Sequence, residues 1–123
     1  MYNATVLSHF SNPYHQGVLP EADAVGEAGI EGEGPYMNLY LKMSQHNSFV
    51  IEEAWYSTYG CPGAIACGSW LCQWLEGKNT EEASRVEAQD IDLLVGGLPL
   101  GKEHCAQIAA DALHFALLEL NQS

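Results

Sequence analysis

A chain of 123 residues (13.4 kDa) suits one domain spanning 1–123, because two separate cores would each be too small to hold. An apolar fraction of 47%, with three Phe, three Trp and six Tyr, excludes a disordered chain. Sixteen acidic against four basic residues give a net charge of −12, which argues against nucleic acid and for basic surfaces or cations as partners, and no run reaches the roughly 18 apolar residues of a membrane span.

The elements follow in chain order. Val6, Leu7 and Phe10 carry the spacing of a short amphipathic helix over Tyr2–Phe10, with Asn3 as a cap and Ser11-Asn12-Pro13 as the stop. From Tyr14 to Pro35 the chain is rich in Gly, Glu and Ala without a period, so a long loop is expected, with one short strand near Ala24–Ile30. Tyr36–Met43 alternates: Met37, Leu39, Leu41 and Met43 share one face, and Tyr36, Asn38, Tyr40 and Lys42 the other. After the polar turn at Gln45–Ser48, Phe49–Tyr59 resumes a β-rich run, predicting an antiparallel hairpin.

Gly60-Cys61-Pro62-Gly63 ends the strand, and Pro62 suits the first position of a helix running to about Gly77, with Ile65, Leu71, Trp74 and Leu75 on one stripe. A short helix opens at Thr80-Glu81-Glu82, with acids at its positive end, and another over Asp90–Val95 closes at Gly96-Gly97. Leu98-Pro99-Leu100-Gly101 reads as an extended link. The last helix is expected from Lys102 or Glu103 to Leu120, with Ile108, Ala109, Ala112, Ala116 and Leu120 facing inward. The fold class predicted is α+β, a small antiparallel sheet covered by helices.

The opening Met-Tyr-Asn-Ala shows neither a basic n-region nor an apolar h-region, so a cytoplasmic location with reduced thiols is the expectation for Cys61, Cys67, Cys72 and Cys105. Cys61 follows a strand and precedes Pro62 at a predicted helix start, where unpaired N–H groups and the positive dipole end support a thiolate that binds metal or attacks sulfur; the alternative is a small buried turn residue. His104-Cys105 sits at the entrance of the last helix, where both side chains can turn toward one point, and imidazole with thiolate is a donor set for zinc or iron–sulfur centres. Cys67 and Cys72 differ by about 140° around their helix, so packing roles are expected. His9, His15, His46 and His114 read as solvated or core histidines. Trp55, Trp70 and Trp74 read as core aromatics, since a nucleic-acid stacking platform would need bases around it.

Three separated stretches carry a family resemblance. Asn12-Pro13-x-x-x-Gly17 after the first helix, Tyr56-Ser57-Thr58-Tyr59-Gly60-Cys61-x-x-Ala64-Ile65-Ala66, and Leu98-Pro99-x-x-Lys102-x-His104-Cys105 stand in the order and spacing of the NifU/IscU-type iron–sulfur cluster assembly scaffolds. The resemblance covers nearly the whole chain and implies the NifU/IscU-like scaffold fold with a cluster held at one end. It also implies Cys61 and Cys105 as thiolate ligands, His104 as a further or exchanging ligand, and Lys102 as the lysine beside them. The implied partners are a cysteine desulfurase that supplies sulfur, a Hsp70-type chaperone that reads the Leu98–Lys102 link, and acceptor iron–sulfur proteins.

The chain departs from that family at its first cluster cysteine, which normally lies in an Ala-Cys-Gly-Asp turn before the first long strand. Here the aligned turn is Gly32-Glu33-Gly34-Pro35, with Glu33 in place of the cysteine and Pro35 in place of the aspartate. Two thiolates, one imidazole and the Glu33 carboxylate still suit tetrahedral zinc. A harder carboxylate suits a [2Fe–2S] cluster less well and should make it labile. The expectation is therefore a non-enzymatic scaffold holding iron, zinc or a labile [2Fe–2S] cluster through Cys61, His104 and Cys105 with Glu33. The rival reading is a docking module of the same machinery that no longer binds a cluster. A thiol enzyme using Cys61 with His104 as base lacks an orienting third residue.

Overall fold

A computed structural model describes residues 2–29, 34–60, 62–99 and 102–122. The element order is α1 (Ala4–Ser11), β1 (Ala24–Gly29), β2 (Tyr36–Met43), β3 (Ile51–Tyr59), α2 (Pro62–Leu75), α3 (Thr80–Ser84), α4 (Ala88–Leu94) and α5 (His104–Gln122). The strands form one antiparallel sheet in the order β1-β2-β3.

The period-two pattern of β2 decides which face of the sheet is buried. Met37, Leu39 and Leu41 are fully buried and Met43 nearly so. The register stacks Ala24, Gly26 and Ala28 of β1 and Ala54 and Tyr56 of β3 beside them on the same face. A register shift between Lys42 and Met43 pairs Met43 with Ile51, so Ile51 and Ala54 are both buried although three residues apart. β3 therefore begins at Ile51 and not at Phe49, which is 67% exposed.

α5 lies across β1 and β2, and α2 lies across β3 and against α5, which together close the core. Small residues allow the close approach. Ala109, Ala112 and Ala116 of α5 are fully buried, and a Cβ on Gly26 would come within 1.9 Å of Ala112 O. Gly68 plays the same part in α2, where a Cβ would meet the Tyr56 ring at 2.4 Å.

α2 is buried nearly all round, from Gly63 and Ala64 through Cys67, Ser69 and Leu71 to Leu75, whereas Ile65 and Trp74 of the expected stripe are only half-buried. The cause is α1, which packs on the side of α2 away from the sheet and inserts the fully buried Val6. Cys67 and Cys72 lie wholly within this core. Trp70 and Trp74 pack at its margin, and Trp55 stands outside it, stacked at 4.3 Å on His15. The tryptophans thus rim the core instead of filling it. α3 and α4 are short helices set against α5, each with a carboxylate or amide at its start: Asn79 Oδ1 accepts from Glu82 N–H, and Glu87 opens a capping box with Asp90.

Candidate metal and cluster site

The end of the sheet where β2 starts and β3 stops gathers the site. Tyr36 pairs with Tyr59, so the residues just before Tyr36 and just after Tyr59 emerge side by side. Pro35 and Gly60 show this directly, since a Cβ on Gly60 would sit 3.8 Å from Pro35 Cβ. Cys61 and Glu33 themselves lie outside the described residues, as do Leu100 and Gly101 of the link. Among the described residues, the flanks Pro35 and Gly60 stand side by side.

The third segment arrives from the opposite end of the sequence. Lys102 O accepts from Cys105 N–H at 3.0 Å at the start of α5, and Lys102 N–H donates to Pro99 O at 3.0 Å. Cys105 is 1% exposed, and its Sγ would lie 3.4 Å from a Cβ on Gly63, in the first turn of α2 and two residues beyond Cys61. Tyr2 Cε1 and Leu98 Cδ2 come to the same point, each at 3.3 Å. A side chain at 63 would push the thiol, the ring and the leucine aside.

His104 is exposed, and its Nε2 stands 3.7 Å from Cys105 Sγ. That separation can be tested against a shared metal. Zinc bonds of about 2.3 Å to sulfur and about 2.0–2.1 Å to nitrogen, at a tetrahedral angle, put the two donors about 3.6 Å apart. The neighbouring imidazole and thiol thus already stand at nearly the spacing of two ligands on one tetrahedral ion. No cluster of three or more His, Cys, Asp or Glu at metal-binding distance occurs among the described residues.

Three of the other four histidines have side-chain partners elsewhere. His9 Nδ1 meets Ser69 Oγ at 2.7 Å, His15 Nδ1 pairs with Glu76 Oε2 at 2.9 Å, and His114 Nε2 donates to Val86 O at 2.8 Å. His9 and His15 border a cavity of ≈ 460 Å³ beside α1, away from Cys105. Cys72 is sealed in the core, and burial pushes its thiol well up from the ordinary range.

Residues 1–122 match the family model of the NifU-like N terminal domain. The chain belongs to this family. It is 39% identical over 116 residues to the iron–sulfur cluster assembly scaffold protein IscU of Aquifex aeolicus, covering 94% of this chain and 73% of that one. It is 37% identical over 119 residues to scaffold protein IscU 1 of Archaeoglobus fulgidus, covering 97% and 76%. The crystal structure of a nitrogen-fixing NifU-like protein (N-terminal) from Brucella abortus superposes with a TM-score of 0.73 over 98% of this chain and 94% of that one, at 18% identity, which speaks for the NifU-like fold alone. The α+β scaffold fold and the family expected from the three motifs are both found.

Sequence reasoning passed over Gly63, Tyr2 and Leu98 as site residues. Asn3 was legible as a cap, but not as a partner of the distant α4–α5 connection.

Proposed function

We propose that this NifU-like domain is a single-domain cytoplasmic scaffold of iron–sulfur cluster assembly. Its cargo is iron, zinc or a labile [2Fe–2S] cluster, carried where Cys61, His104 and Cys105 converge, with Glu33 as an oxygen donor. The cargo is held for transfer to acceptor iron–sulfur proteins without turnover of a substrate.

The observation that supports this most is Cys105 Sγ lodged against Gly63, beside an imidazole at donor spacing and two residues from Cys61. The names of the IscU relatives point the same way. No helix among the described residues is long and apolar enough to cross a membrane, which suits a mobile carrier. The partners proposed with this reading are a cysteine desulfurase as sulfur donor and a Hsp70-type chaperone engaging the Leu98–Lys102 link.

The test is anaerobic loading of the full chain with iron and sulfide, and separately with zinc, followed by metal and sulfide analysis and the visible spectrum. Stoichiometric retention with sulfur-to-iron charge-transfer bands is expected. Cys61→Ser and Cys105→Ser should lose retention while keeping the native circular dichroism spectrum. Wild-type retention in either variant would remove that residue from the site. A chain that binds neither metal nor cluster would leave only the docking role.

A further inference from the structure

One asparagine joins the first helix to the segment that follows α4. Asn3 Oδ1 accepts from Val6 N–H at 2.9 Å and so caps α1. The amide at the other side of the same group donates twice, to Val95 O at 2.9 Å and to Gly97 O at 2.8 Å, carbonyls 92 and 94 residues away. Between these acceptors Gly96 has φ +81°, and a Cβ there would lie 3.1 Å from Asn3 Nδ2. Any other residue at 96 would be strained and would press on the amide.

The segment so held leads into Leu98, which meets Gly63 beside the thiol. Gly97, at φ +94°, donates its N–H to Asp92 O at 2.8 Å, and Leu98 N–H donates to Asp92 Oδ1 at 2.9 Å. Asn3 on one side and Asp92 on the other fix the turn that turns Leu98 back toward Gly63. Tyr2, the residue before Asn3, reaches the same point. Leu98 and Tyr2, which meet Gly63 beside the thiol, are therefore each adjacent in sequence to a clamped residue.

We infer that Asn3 is the positioning residue of Cys105: its amide clamps residues 95–97 so that Leu98 and Tyr2 close over the thiol, and the thiol is reached when this clamp opens. That the clamp governs cargo exchange rests on the scaffold reading; that it governs access to the thiol does not.

The cap and the clamp use different atoms of one side chain, so they can be separated. Serine and aspartate rank with asparagine as helix N-caps. Asn3→Ser therefore keeps α1 capped and cannot span to the two carbonyls. Asn3→Asp keeps the cap and turns a carboxylate against them. The metal-free full chain is pulsed with N-ethylmaleimide, and the label is read at each cysteine by peptide mass spectrometry. Cys67 and Cys72, both wholly buried, serve as internal reporters of general loosening.

In both variants Cys105 should label on the order of tenfold faster, the factor that one or two lost neutral hydrogen bonds produce, while Cys67 and Cys72 keep their wild-type rates. Asp92→Ala, which releases Leu98 from the other side without touching α1, should act in the same direction and decides the matter if the Asn3 variants fold poorly. An unchanged Cys105 rate, or a rise shared by Cys67 and Cys72, overturns the clamp. Iron and sulfide uptake in the same proteins separates the two claims. Uptake by none of them, wild type included, removes the scaffold reading and leaves the labelling to judge the clamp. Faster labelling without faster uptake overturns the gating of cargo.

Discussion

Ser69 is a buried polar residue inside α2, and its hydroxyl is fully engaged. It accepts from Tyr14 N–H at 2.8 Å and lies 2.7 Å from His9 Nδ1. The hydroxyl has a second lone pair and one proton left, so it can meet either tautomer of a neutral His9 imidazole at Nδ1. Burial also holds the His9 pKa below 6.5, because α1 packs the ring toward α2, where it stacks on Trp70. The folded protein thus prefers neutral His9 more strongly than the unfolded chain does. The stabilisation is complete above about pH 6.5 and is lost as the pH falls from there through the lower folded-state value. His9→Asn keeps a polar amide near the place of Nδ1 and has no proton to take up. Urea midpoints at about pH 7.5 and about pH 5.5 should therefore fall less in the variant than in the wild type. Acidification also relieves the negative surface charge, but it does so equally in both proteins and cancels in the difference. Equal losses would mean that His9 carries no part of the acid sensitivity of the α1–α2 contact.

At the scale of elements, the seat of α5 on β1 is the packing that places the site, since His104 and Cys105 are its first residues. Gly26 is the point of closest approach, with a prospective Cβ 1.9 Å from Ala112 O and 2.5 Å from Ala116 N. The obstacle is backbone, so no rotamer change relieves it and the helix must lift. Gly26→Ala should cost about 3 kcal/mol in urea unfolding, the upper part of the usual range for overpacking. A loss under about 1 kcal/mol would show that α5 tolerates displacement from the sheet. The strands and helix starts were legible because their signals are local: the alternation of Tyr36–Met43, the cap at Asn3, the break at Gly60-Cys61-Pro62. The full burial of α2 was not, because its second buried face exists only once α1 has docked, and a single stripe is all that a period of 3.6 displays. The same divide runs through the site. His104 and Cys105 advertise themselves by residue type and by their place at a helix start. The Asn3 clamp leaves no periodic trace, since its acceptors are carbonyls of other residues more than ninety positions away.

The molecule as a whole carries −12 with only four Lys and Arg to offset it. Arg85 is paired with Glu81 at 2.6 Å in a solvent-exposed contact that adds little, and Lys78 rests over the Trp74 ring at 5.2 Å. The remaining acids repel one another across a small body, and that repulsion opposes the compact state. Raising ionic strength from about 0.01 M to about 1 M shortens the screening length from roughly 30 Å to roughly 3 Å, so it should suppress this repulsion almost entirely. The thermal midpoint is therefore expected to rise by a few degrees as sodium chloride is added, for a gain of roughly 1 kcal/mol at the midpoint. Association has the opposite sign. A partner that offers a basic surface is steered by the same field, and its on-rate should fall steeply over the same salt range. Calorimetry and stopped-flow mixing read the two effects on one preparation. If binding holds while the midpoint climbs, the docking contact is apolar and the acidity of this NifU-like domain is not what its partners recognise.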